Sequence, residues 1–68
     1  MIDLLAIKAR FETLSPYLDE RARRLFAATE AGVAGRGGVA AVSEATGVAR
    51  STIGRGLAEL RSESGVKM

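Results

Sequence analysis

The chain has 68 residues, neither cysteine nor histidine, ten Lys+Arg against eight Asp+Glu, and a net charge of +2. A chain this short buries only about 60% of its unfolded surface, so a single domain spanning 1–68, or a fragment of a longer chain, is expected and a multi-domain enzyme is excluded. Without cysteine there is no disulfide and no thiolate ligand, and without histidine the commonest general base and metal ligand are missing, so no cofactor, metal or small-molecule ligand is expected.

No stretch approaches the ~20 apolar residues that span a bilayer, and the N-terminus lacks a basic segment followed by an apolar one. A cytoplasmic, nucleoid-associated protein without membrane contact is the expectation. Twelve alanines and three aromatic residues (Phe11, Tyr17 and Phe26) favour closely packed helices, so the expected class is all-α with four helices. The isoelectric point of 9.7 overstates the basic character, because without histidine almost nothing titrates between the carboxylates and the lysines. Basic and acidic groups cancel over 1–34, so the whole positive excess lies in 35–68. That asymmetry points weakly to a polyanionic partner.

In chain order, Leu4, Ile7, Phe11 and Leu14 form an apolar stripe over 3–14, with Asp3 as its cap. Ser15-Pro16 ends this helix, because a residue before proline avoids the helical region. Asp19 is expected to cap a second helix running to about Ala34, with Ala22, Leu25, Phe26, Thr29 and Val33 facing inward. Arg21, Arg23 and Arg24 are read as surface ion pairs with Asp19, Glu20 and Glu12, and are left out of any site. Gly35-Arg36-Gly37-Gly38 breaks the chain. A third helix over 39–46 is expected to turn Val39, Val42 and Ala45 or Thr46 inward, and Gly47 stops it. A fourth helix is expected over 50–62, with Ile53, Leu57 and Leu60 buried and Ser64 to Met68 frayed. Leu5, off the first stripe, joins Ile2 as a candidate surface for a dimer mate or a following domain; a single exposed leucine is also ordinary.

Residues 39–60 fit a helix-turn-helix unit. Gly47 supplies the positive φ for a sharp turn, and Ser43 is small where the helices cross. Val48 plugs the angle between them, and Ile53 anchors the second helix. A helical hairpin with a glycine turn is the plainer reading. At ~100° per residue, Ser51, Arg55 and Ser62 fall opposite the buried side, Thr52 flanks them, and Arg50 stands at the N-terminal tip. The N-terminal residues of a recognition helix meet base edges in the major groove, where Arg pairs with guanine O6 and N7. Arg50, Ser51 and Arg55 are therefore the candidate base contacts, with Thr52 next or on a phosphate. The free N–H groups opening the third helix at Gly38, with Arg36 beside them, are a candidate phosphate anchor; the same glycines also serve simply to turn the chain. This loop lacks the Gly-Lys-Ser/Thr ending of a nucleotide-binding loop.

These residues carry a family resemblance. Ala6-Ile7-Lys8-Ala9-Arg10-Phe11, Leu18-Asp19-Glu20-Arg21 with Arg23-Arg24-Leu25, and Gly37-Gly38-Val39-Ala40-Ala41-Val42 contribute to it. So does Ala45-Thr46-Gly47-Val48-Ala49-Arg50-Ser51-Thr52-Ile53. From Ile2 to Leu60 the chain resembles the N-terminal segment of bacterial DDE-type insertion-sequence transposases of the ISAzo (Rhodopirellula) type. The resemblance implies a domain that binds transposon ends. Strand transfer in that family belongs to a later RNase H-like domain with acidic residues and divalent metal. Here the only aspartates, Asp3 and Asp19, read as helix caps. Three positions depart from the family pattern. Ala49 replaces a capping Ser, a loss of about 0.5–2 kcal/mol unless Ser51 takes over. Gly54 replaces a polar or basic residue and costs about 1 kcal/mol relative to Ala in a helix. Ser43 replaces Ala. The first two lower the expected affinity for DNA more than they disturb the fold.

The expected function is sequence-specific binding of double-stranded DNA at transposon ends, without catalysis by this segment. A homodimer or a following catalytic domain would supply further affinity. A free-standing transcriptional regulator and a helical protein–protein module are the alternatives. Salt dependence separates DNA binding from apolar docking.

Overall fold

A computed structural model describes residues 2–67, with side chains described through Ser62. The described residues form four α-helices and one 3-10 turn, and no strand: α1 (Leu4–Leu14), the turn Ser15–Tyr17, α2 (Glu20–Ala34), α3 (Gly38–Thr46) and α4 (Arg50–Lys67). The all-α expectation is therefore met. None of these helices is long and apolar enough to cross a membrane.

The helix starts follow the predicted capping chemistry. The Asp3 carboxylate accepts from the Ala6 amide at 3.0 Å, and that of Asp19 accepts from the Ala22 amide at 2.7 Å. Each satisfies an amide that has no partner within its helix. Pro16 falls in the 3-10 turn that replaces a further turn of α1. α3 begins one residue earlier than expected, at Gly38, and the larger difference is at the last boundary. Instead of ending at Ser62 and fraying from Ser64, α4 continues to Lys67; Met68 lies outside the described residues. It is thus an 18-residue helix, about 27 Å long at ~1.5 Å per residue.

The core forms where α2 packs on α3 and α4 and where α1 lies across α3. Ile7, Ala27, Ala31, Val42 and Ile53 are buried, with Ile2, Val39, Ala45, Val48 and Leu57 packed around them. The Phe11 and Phe26 rings stack at 6.1 Å between centroids, tying α1 to α2.

Two expected inward faces are corrected. On α2, Thr29 is exposed and Val33 is 81% exposed, whereas Ala27, Ala28, Glu30 and Ala31 are buried. The buried stripe lies on roughly the opposite side of the helix. Close approach decides this. A Cβ added to Gly56 of α4 would stand 2.8 Å from the Ala28 Cβ, and one added to Gly38 of α3 would stand 2.3 Å from the Ala31 carbonyl oxygen. Only the alanine face of α2 lets both neighbours come so near. On α1, Leu14 is 41% exposed, because the depression beside it is lined by α1 residues alone (Ala9, Arg10 and Thr13) and no other helix covers it.

The arginines of the first half are also placed differently. Arg24 donates through Nε to Glu59 at 2.6 Å and Arg21 donates to the same carboxylate at 3.3 Å, so they bind α2 to α4 rather than pairing along α2. Arg23 donates through Nη2 to the carbonyls of Ser15 at 3.2 Å and Leu18 at 2.8 Å, holding the α1–α2 connection. Glu30 is buried because Arg10 reaches it with a two-pronged pair, 2.5 and 2.8 Å.

Candidate nucleic-acid interface

The α3–α4 connection is built from residue chemistry upward. Gly47 adopts φ 80°, a left-handed conformation that strains residues with a Cβ, and its amide donates to the Ser43 carbonyl at 2.9 Å. Thr46 adds a support that composition does not reveal. Its hydroxyl donates to the Val42 carbonyl at 2.7 Å and accepts from the Val48 amide at 3.1 Å. Val48 packs on the core and Ile53 is fully buried, so α4 is fixed on the side that carries Ile53 and Leu57.

The opposite edge of α4 is left in solvent. Arg50, Ser51, Gly54, Arg55, Ala58, Arg61 and Ser62 are exposed, and Thr52 is half-buried. Arg55 donates to the Thr52 hydroxyl at 3.3 Å. Five arginines, Arg23, Arg36, Arg50, Arg55 and Arg61, make no ion pair among the described residues, and of these Arg23 is spent on the carbonyls of Ser15 and Leu18. Two of the carboxylates are engaged elsewhere, Glu30 with Arg10 and Glu59 with Arg24 and Arg21. The Glu59 carboxyl is lowered from its ordinary value, chiefly because Arg24 hydrogen-bonds its charged form. Its partner Arg24 is correspondingly raised, as Arg10 is by its hydrogen bond with Glu30. Three of those five arginines, Arg50, Arg55 and Arg61, are on α4.

The structure brings four of the six predicted contact residues together: Arg50, Ser51, Thr52 and Arg55 share the first two turns of α4. Arg36 and Gly38 stand at the far end of α3, whose nine residues span about 13 Å. Arg36 is exposed there. Gly38 is buried, and its amide donates to the Gly35 carbonyl at 2.8 Å, so its expected role as an anion donor gives way to close packing on Ala31. The first bond of the α3 ladder runs from the Ala41 amide to the Gly37 carbonyl, which leaves the amides of Val39 and Ala40 ahead of it. Gly54 is exposed, and a Cβ there would touch nothing. Ala49, whose carbonyl takes the first α4 bond from Ile53 at 3.0 Å, has no side chain able to cap the helix.

Comparison with protein-family models, with curated proteins and with solved structures found no match to this chain.

Proposed function

We propose that this chain binds double-stranded DNA through a helix-turn-helix formed by α3, the Gly47 turn and α4, with the outward edge of α4 in the major groove. The observation that carries this reading is the pair Arg50 and Arg55, exposed and without ion pairs on an edge that the core leaves uncovered. In the groove, Arg50 and Arg55 pair with guanine edges and Ser51 contacts a neighbouring base. Arg36 and the amides of Val39 and Ala40 meet the backbone. The resemblance to insertion-sequence transposases supports transposon ends as the target, with the chemistry carried by a later domain of a longer protein. A regulator that acts alone uses the same surface.

The test is a fluorescence-anisotropy titration on duplexes selected from a random pool. Arg50→Ala and Arg55→Ala are each expected to weaken the selected site by about 1–3 kcal/mol while the circular dichroism spectrum is kept. Wild-type affinity is expected to fall steeply between ~50 and 200 mM salt. Affinity that ignores salt, with both variants at wild-type strength, rejects DNA binding.

A second reading rests on a specific surface. Leu5 and Val33 are 80% and 81% exposed, and Ile2 lines the depressions beside both. This apolar patch suits a protein–protein module, whose binding would survive high salt and be lost on Leu5→Ser.

A further inference from the structure

Beside the outward edge of α4, the N-terminal turns of α2 meet the start of α4 around a cleft of about 230 Å³. Three arginines line it (Arg23, Arg24 and Arg55), together with Thr52, Val48 and a single carboxylate, Glu20. Arginine clusters normally exist to satisfy carboxylates, but here the donors outnumber the acceptors. Arg24 gives only its Nε to Glu59. Arg23 gives Nη2 to two backbone carbonyls, and its buried Nε has no acceptor among the described residues. A guanidinium carries five N–H groups, so both side chains retain donors beyond those bonds. Because the Thr52 oxygen accepts from Arg55, its own hydroxyl hydrogen is left to donate.

We propose that this cleft seats a backbone phosphate of the bound duplex, held by Arg23, Arg24 and Thr52. Planar guanidinium groups match phosphate oxygens two at a time, and a threonine hydroxyl adds a further donor. The inference rests on the DNA-binding reading above. A duplex is named rather than a free anion because the cleft adjoins the edge of α4 proposed to enter the groove: Thr52 and Arg55 belong to both. Arg55 stands between base edge and phosphate, and the seat fixes how deeply α4 enters. Glu20 opposes the phosphate from the rim.

These placements predict a signature that base readout does not give. A phosphate contact carries no sequence information, so its loss weakens all duplexes alike. The experiment uses the 68-residue chain, the selected duplex and an unrelated mixed-sequence duplex of about 20 base pairs, titrated from low to moderate salt. Glu20→Gln, at an exposed position, is expected to tighten both duplexes by roughly 2- to 5-fold. Thr52→Val is expected to weaken both to a similar degree. Arg24→Gln is expected to weaken both and to reduce the slope of log K against log salt by about 0.9. Since Arg24→Gln also releases Glu59, its fold is checked by circular dichroism, and the other two variants stand without it. If wild type binds both duplexes and Glu20→Gln and Thr52→Val leave both affinities unchanged, the phosphate seat is overturned while DNA binding stands. If Thr52→Val weakens only the selected duplex, Thr52 reads a base and the seat is again overturned. If wild type binds neither duplex, the functional reading and the seat fall together.

Discussion

Gly54 and Gly56 are two residues apart on α4 and have opposite physical settings. Gly54 is exposed with open space where a Cβ would go, while Gly56 faces Ala28 and the Arg24 carbonyl oxygen, 2.8 and 2.9 Å from an added Cβ. Glycine within a helix costs about 0.5–1 kcal/mol relative to alanine. Gly54→Ala is therefore expected to stabilise the protein by about that amount, whereas Gly56→Ala must push α2 and α4 apart and destabilise by roughly 1–3 kcal/mol. Urea denaturation followed by circular dichroism reads both. Two glycines of equal standing in the sequence thus differ only through what faces them. Gly47 was legible without a structure, because a small residue between two apolar helical patterns meets a purely local demand for positive φ.

At the scale of elements, α2 and α4 are joined by the close contact at Gly56 and by the Glu59 carboxylate that holds Arg24 and Arg21. The pH dependence follows from the direction of the Glu59 shift. Its folded value is depressed below the ordinary 4.5, so its contribution is present above 4.5 and disappears as pH falls through the lower folded value. Glu59→Gln is expected to be less stable than wild type near neutral pH, and the gap between them to close as the pH falls below 4.5. Denaturation midpoints measured across the acid range check this; a gap that stays constant would mean that Glu59 acts through packing alone. The ends of α1, α2 and α3 were readable from Asp3, Pro16, Asp19 and Gly47, since caps and breakers act within a few residues. The inward face of α2 was not. Periodicity favours the bulky Leu25, Phe26 and Val33, but contact with two glycine-bearing helices selects the alanines.

For the molecule as a whole, the proposed binding of DNA has few phosphate contacts to draw on, because the net charge is only +2. Each neutralised phosphate adds to affinity by counterion release, so one copy is expected to bind weakly. Two copies joined by a flexible linker are expected to bind a duplex carrying two suitably spaced sites about 10²–10⁴-fold tighter than one copy binds a single site. The same anisotropy titration measures it, and equal affinities for the linked and single chains would refute the idea that affinity comes from valency. The sequence by itself determined the all-α class, the capped starts of α1 and α2 and the buried positions Val42 and Ile53, because propensity, capping and helical spacing are local properties. Only the tertiary structure decided which arginines are left unpaired. Arg24 and Glu59 are 35 residues apart and meet because α2 and α4 pack together. Arg50 and Arg55 make no ion pair among the described residues, although Glu20 lines the same cleft as Arg55. Charge partners are chosen by distance in space, which spacing along the chain does not encode.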